Sequence, residues 1–293
     1  MAVGVIDVGS NSVRLLVATL QQRELIRLRE ERERIGLGDD VERFGAIYPE
    51  KLARTTAAAR KYASIARQLG VERLEVLVTA PGRQSANANE LVRELAEAAG
   101  VSVRVLSAEE EGRLAYEGAA GALGQLPVTL AVCDVGGGST EAVVGVRDRG
   151  PVWFRSFDIG AVRLTRRCFD TDPPTLIALD EARDAVAAAL TGAVPPLCER
   201  SLATGGTPRA LRRIAGEMLG TDELDAVLQI VTAAPARAVA ERFGIDRRRA
   251  RLLPAGVLIL AAVQRRLVVP IEVSSAGLRE GAVLGLLSEA AAA

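Results

Sequence analysis

Two aspartates, Asp7 and Asp134, each close an apolar run and each lead directly into a small-residue turn. The stretches read "VIDVGSNSV" from Val5 and "VCDVGGGST" from Val132. Aligning the aspartates also pairs Val8 with Val135, Gly9 with Gly136, Ser12 with Ser139 and Val17 with Val144. Glycine lets a backbone turn sharply and approach a ligand closely. The amides and hydroxyls of "DVGSNS" and "DVGGGST" (Gly136, Gly137, Gly138 and Ser139) can then cradle phosphate oxygens as an anion-binding nest. A glycine-rich hairpin turn is the alternative for either loop alone. Occurring twice, the pattern points to one phosphate-handling design carried in duplicate. Neither loop matches GxxxxGK[ST], which disfavours Walker-type nucleotide binding.

A carboxylate beside phosphate repels it unless a cation intervenes. Asp7 and Asp134 make chemical sense if a divalent ion bridges them to phosphate oxygens, with turn capping as the alternative for each. The histidine-free, oxygen-rich side chains suit Mg²⁺ or Mn²⁺ better than zinc. A third motif, "ATGGTPRAL" from Ala203, ends a short apolar segment and begins a helix. Thr207 is expected to cap that helix and Pro208 to fit its first turn, leaving an anion site built from Gly205, Gly206 and Thr207.

Two further carboxylates stand out. In "SAEEEGRLAYEG", Ser107 and Glu110 have capping-box spacing, which gives Glu110 a structural reading. Glu111 falls at helical spacing near Leu114 and Ala115, so an inward-facing acid there is a general-base candidate. Glu141 follows "GGGST" directly and aligns with Arg14 of the first repeat, so the two loops differ chemically at that point.

Composition sets the bounds. The chain has 293 residues, enough for two domains, and a formal charge of zero, which argues against a general nucleic-acid or membrane-surface role. Any anion site must be local. The absence of histidine removes Ser-His-Asp and Cys-His systems, phosphohistidine chemistry and His-ligated zinc. Cys133, Cys168 and Cys198 show no metal-ligand spacing, and a reducing cytoplasm is expected. No apolar run reaches the length of a membrane span.

These groups need elements to hold them. Strands are expected over 2–8, 13–19 and 25–32, followed by a loop at "GLGDD". A helix follows over 49–69, a strand over 74–79, a helix over 84–99, a strand over 101–106 and a helix over 109–120. After a linker at "GALGQLP" the pattern restarts, with strands over 128–134, 140–146 and 151–157. A helix is then expected over 175–190, a short strand "RSLA" leading to "TGGTPRALRRI", and a helix over 247–267, with "VVPIEVS" a late strand and "AGLREGAVLGLL" a last helix. The duplicated core implies two α/β domains, 1–124 and 125–293, facing across a cleft in the architecture of actin, hexokinase and Hsp70.

With these motifs placed, the sequence resembles the exopolyphosphatase/guanosine pentaphosphate phosphatase family over nearly its whole length. The resemblance is carried by "VIDVGSNSVRLLVA", "SAEEEGRLAYEGA", "VCDVGGGSTEAVVG", "IGAVRLTRRC", "ATGGTPRALRRIAG" and the ending from "LLPAGVLILAAV" to "GLREGAVLGLL". It implies two actin-like (ribonuclease H-like) domains and removal of terminal phosphate by water, with a divalent cation. The implied substrates are inorganic polyphosphate or guanosine pentaphosphate. By the same resemblance Glu111 is the base, Glu141 the second catalytic acid and Asp134 a metal-site residue. Ser10, Asn11 and Ser12 become phosphate contacts, and Arg83 a further one through its guanidinium fork. A homodimer is implied as well.

Two departures from the family pattern are visible. Around Arg83 the chain reads "TAPGRQ", so Pro81 and Gly82 are expected to alter that loop and the aim of Arg83. The sequence also stops after the two actin-like domains, which lowers the expected processivity on long chains. Three rivals share some features: an actin-like small-molecule kinase, a non-catalytic sensor of polyphosphate or nucleotide, and a dehalogenase-type phosphatase suggested weakly by "FDTDPP". The arginines of "PRALRR" and "DRRRAR" are either a polyanion track or solvated helix faces.

Overall fold

The computed structural model describes residues 1–22 and 24–292, and the chain divides into two units. The first comprises Met1–Gly118 with Leu278–Ala293, the second Ala119–Gly277.

In the first unit β1 (Ala2–Val8), β2 (Ser12–Gln21) and β3 (Glu24–Arg34) form an antiparallel meander. The helices α1 (Leu37–Phe44) and α2 (Pro49–Gln68) follow, then β4 (Arg73–Val78), α3 (Ala80–Gln84), α4 (Ala88–Ala99), β5 (Val103–Val105) and α5 (Ala108–Gly121). β4 joins β1 in parallel and β5 joins β4, giving the sheet order β3-β2-β1-β4-β5. Both faces are covered, which is why β1 is apolar without alternation. Ile6 and Val8 enter the core with Leu52, Tyr62 and Leu91; Val3 and Val5 enter another with Leu106, Leu114 and Val283.

The second unit repeats the plan. It contains β6 (Thr129–Val135), β7 (Thr140–Val146), β8 (Gly150–Phe157), α6 (Ala161–Cys168), α7 (Leu176–Ala189), β9 (Arg200–Thr204) and α8 (Gly206–Ala215). It continues through β10 (Met218–Leu219), α9 (Thr221–Thr232), α10 (Ala236–Phe243), α11 (Arg247–Arg251), α12 (Leu253–Leu267) and β11 (Ile271–Val273). Its sheet runs β10-β11-β9-β6-β7-β8. The run β8-β7-β6-β9-β11 reproduces the first sheet, strand for strand and sense for sense. Two such sheets are the actin-like, ribonuclease H-like arrangement expected from the sequence.

The last helix, α13 (Leu278–Ala292), belongs to the first unit. Two ion pairs, each with its α13 partner buried and its β3 partner exposed, tie it there: Glu280 accepts from Arg27 at 3.1 Å, and Arg279 pairs with Glu30 at 3.2 Å. Gly281 meets α5 so closely that a Cβ would stand 2.0 Å from the Leu114 carbonyl oxygen.

Three local expectations are revised. "GLGDD" is the start of α1 rather than a loop: Leu37 and Val41, one turn apart, are both buried, and Asp40 binds the Tyr48 amide and Lys51. The helix expected over 84–99 starts only at Ala88, since Gln84 ends the separate α3 and the Asn87 side chain is drawn to both backbone groups of Ile47 at 2.9 Å. The helix expected over 247–267 breaks at Leu252, since Pro254 has no amide to continue the ladder. Among the described residues no helix is long and apolar enough to cross a membrane.

Candidate functional site

The two glycine hairpins are built alike. Gly9 N–H donates to Ser12 O at 3.1 Å, and Gly136 N–H donates to Ser139 O at 3.0 Å, in the register the sequence alignment required. In each, the loop carbonyls are tied back to the start of a following helix. Ser10 O accepts from Gly38 N–H at 2.7 Å, and Asn11 O accepts from Ile35 and Gly36. Gly136 O accepts from Ala161, and Gly137 O from Val162 and Arg163. Anchoring the carbonyls turns the other side of each peptide outward. Among the described residues, the amides of Ser10, Asn11, Gly137 and Gly138 have no backbone acceptor. Such amides in a tight turn form an anion nest. The sequence signalled the loops but not their anchors, α1 and α6.

Small residues are required at both anchors. A Cβ on Gly38 would stand 2.9 Å from Ser10 Cβ, and one on Gly160 would stand 2.3 Å from Gly137 O. The hydroxyl-bearing residues Ser10, Ser12 and Ser139 are buried at these turns, and Arg14 Nε donates to Ser12 Oγ at 3.1 Å.

The loops diverge one step further on. Asp7 is the register partner of Arg14 on β2, an acid opposite a cation. Asp134 is the partner of Glu141 on β7, an acid opposite an acid. Like charges directly opposite on a sheet are destabilising. Glu141 is only 1% exposed, and its Oε1 accepts from Ser156 Oγ at 3.0 Å. Cys133, beside this pair, has its thiol pKa pushed up by burial and then by Asp134 and Glu141. It is a fully buried core residue.

The third glycine motif adjoins the same carboxylate. Gly205 takes φ +100, and a Cβ on it would lie 2.8 Å from Asp134 Oδ1 and 2.9 Å from Val135 O. Gly205, not Thr207, is the N-cap of α8, and no side chain caps that end. Thr207 instead packs against Gly256 of α12, where a Cβ would meet its Cγ2 at 2.4 Å. The Arg249 guanidinium lies over Gly206, and Arg209 Nε donates to Gly205 O at 3.0 Å. Arg212 and Arg213 turn to Glu217 and to the Gly244 carbonyl, while Arg247 and Arg248 are exposed. Of the arginines considered as a polyanion track, only Arg209 and Arg249 are placed at a glycine loop.

In the first unit Glu111 is 8% exposed, with Leu114 and Ala115 buried beside it. Arg83 Nη1 donates to Glu111 Oε2 at 2.8 Å and to Leu106 O at 2.8 Å. Arg83 therefore orients an acid from this position, a contact the sequence did not reveal. Pro81 and Gly82 form the first turn of α3, and Gly82 packs where a Cβ would meet Val78 and Val105 at 2.8 and 2.9 Å. Glu110 completes the capping box: Ser107 N–H donates to its Oε2 at 2.8 Å and Glu110 N–H donates to Ser107 Oγ at 3.1 Å. The Ser107 backbone amide holds the Glu110 carboxyl pKa below its ordinary value. Adjacent glutamates thus have different jobs.

The described residues contain no cluster of three acids or thiols suited to a cation. Mg²⁺ is usually held through one or two carboxylates, with water and phosphate oxygens completing its shell. Asp134 and Glu141, adjacent and like-charged beside a glycine loop, fit that donor set. Asp7 already has Arg14 in register and fits it less well.

The model of the Ppx/GppA phosphatase family matches residues 16–290. Exopolyphosphatase 2 of Mycobacterium tuberculosis (strain ATCC 25618 / H37Rv) is 34% identical over 267 residues, covering 86% of this chain and 83% of that protein. The solved Aquifex aeolicus PPX-GPPA enzyme superposes with a TM-score of 0.82 at 28% identity, covering 97% of this chain and 99% of that one. A solved exopolyphosphatase-like protein superposes with a TM-score of 0.90 at 26% identity, covering 99% and 100%. The family match begins within β2, after the first glycine hairpin, and takes in the second and third glycine motifs and the helix that carries Glu111. This chain belongs to the Ppx/GppA phosphatase family.

Proposed function

We propose that the protein is an exopolyphosphatase, releasing terminal phosphate from inorganic polyphosphate by attack of water. The observation that carries this reading is the buried Glu111 carboxylate, held by Arg83 at 2.8 Å on the first turn of α5. A buried acid oriented by a cation suits a group that positions water and accepts its proton. In the first unit the Ser10 and Asn11 amides, and in the second the Gly137 and Gly138 amides with the start of α8, are suited to take phosphate oxygens. Phosphoryl transfer needs positioning and charge neutralisation rather than a protein nucleophile, which agrees with the lack of histidine and the fully buried Cys133. Asp134 and Glu141 would hold a divalent cation, Mg²⁺ or Mn²⁺, which when bound neutralises phosphate charge. Arg83 keeps Glu111 aimed, and substrate phosphate competes for the same guanidinium.

The test is phosphate release with Mg²⁺ or Mn²⁺ from short polyphosphate, long polyphosphate and guanosine pentaphosphate, with wild type and Glu111→Gln side by side. Loss of general-base assistance should lower kcat about 100- to 10,000-fold with folding retained. A variant with full activity refutes the assignment of Glu111. Preference for guanosine pentaphosphate over both polyphosphates would move the substrate to that nucleotide, and binding without turnover would make the protein a sensor.

A further inference from the structure

One polar group at the C-terminal end of an interior strand of the second sheet has no role in the reading above. Thr204 ends β9 and is the register partner of Asp134, which is itself the partner of Glu141. Register partners on neighbouring strands point to one face, so Glu141, Asp134 and Thr204 form a polar row across three strands. Thr204 is 2% exposed, and its Oγ1 has no hydrogen-bond partner among the described residues. A buried hydroxyl left unpaired is costly, and native structures rarely retain one without a use.

The neighbours explain why the hydroxyl stays unpaired. Ser274, which follows β11 beside it, donates its own Oγ to Ala276 O at 2.8 Å and accepts from the Ala276 amide. The residue above Thr204 is Gly277, where a Cβ would stand 3.1 Å from Thr204 Cβ and 3.4 Å from Oγ1. Glycine there keeps a further side chain from packing onto the buried hydroxyl. On the other side Gly205 brings the third glycine loop against Asp134. The Thr204 hydroxyl, beside Asp134 at the head of the third glycine loop, is a donor with no acceptor among the described residues.

We propose that Thr204 is a substrate-contacting residue whose hydroxyl donates to a phosphoryl oxygen of bound polyphosphate beside Asp134. The proposal rests on the hydrolase reading above, and its test separates the two. Thr204→Val keeps the shape and removes the donor. A hydroxyl with only a structural role and no partner should be replaced without loss, with an unchanged or higher unfolding midpoint. A hydrogen bond to a charged ligand should instead cost about tenfold to a hundredfold in kcat/KM. Thr204→Ser, which restores the donor, should recover most of the activity.

Gly277→Ala provides a second route, because its methyl covers the hydroxyl without altering Thr204, and the same fall is expected. Wild-type kcat/KM in Thr204→Val overturns the proposal, as does an equal loss in Thr204→Ser. If wild type hydrolyses no substrate, the hydrolase reading fails by itself. Thr204 is then judged by the midpoint shift that tripolyphosphate with Mg²⁺ produces. A smaller shift in Thr204→Val than in wild type supports the contact, and equal shifts or none in either protein overturn it.

Discussion

Gly281 offers a sharp test of how the helix carrying Glu111 is held. Its ideal Cβ would lie 2.0 Å from Leu114 O, 2.8 Å from Leu114 C and 3.0 Å from Gly118 N, all backbone atoms of α5. None can rotate away, so Gly281→Ala must part the two helices by about 1 Å. Gly285, one turn along α13, has nothing within 4 Å of its Cβ position. Alanine at either site gains about 1 kcal/mol of helix propensity, and that gain cancels between the two variants. What remains is the packing cost, about 1–3 kcal/mol against Gly281→Ala. In a domain of this size that separates the unfolding midpoints by about 2–4 °C per kcal/mol.

The same displacement reaches the chemistry. Glu111 sits one turn N-terminal to Leu114 on α5. Misplacing a reacting group by about 1 Å costs on the order of 100-fold. Thermal unfolding and steady-state phosphate release, measured on both variants, therefore give a paired result: Gly281→Ala less stable with kcat reduced, Gly285→Ala slightly more stable with kcat unchanged. Equal midpoints would refute the packing argument. A destabilised Gly281→Ala with wild-type kcat would show that α13 does not position Glu111.

Two other outcomes follow from named contacts. The folded pKa of Glu110 lies below its ordinary value, so its ion contributes stability above that ordinary value and loses it as pH falls through the folded one. Glu110→Gln should accordingly lose stability relative to wild type near neutral pH and match it in acid, by unfolding midpoints across pH 2–7, a window set by the glutamate range, with activity at neutral pH retained. Gly205→Ala places a side chain at φ +100 and a methyl 2.8 Å from Asp134 Oδ1. A non-glycine residue in this positive-φ extended conformation alone costs about 1–3 kcal/mol, so a lower midpoint and reduced phosphate release are expected, and an unchanged midpoint would contradict the loop geometry.

Much of the site was legible because glycine and charge patterns are local. The alignment of Asp7 with Asp134 holds down to a shared hydrogen bond, Gly9 to Ser12 and Gly136 to Ser139. It also foretold that Arg14 and Glu141 would occupy equivalent register positions. The Ser107–Glu110 box formed as its spacing required. What misled was also local: the glycines and aspartates of "GLGDD" concealed a helix whose Leu37 and Val41 are decided by burial. Thr207 has the chemistry of a cap, yet close packing against Gly256 claims it.

The sequence alone therefore determined the duplicated α/β plan, the three glycine loops and the acids that accompany them, because each depends on neighbours within a few residues. Tertiary structure decided the rest. Arg83 and Glu111 are remote in sequence, and only the packing of α3 and α5 brings them to 2.8 Å. The anchoring of the hairpin carbonyls by α1 and α6, which turns the loop amides outward, likewise depends on where the following helices return. Thr204 reads in sequence as an ordinary strand residue; only strand register and burial set its unpaired hydroxyl beside Asp134.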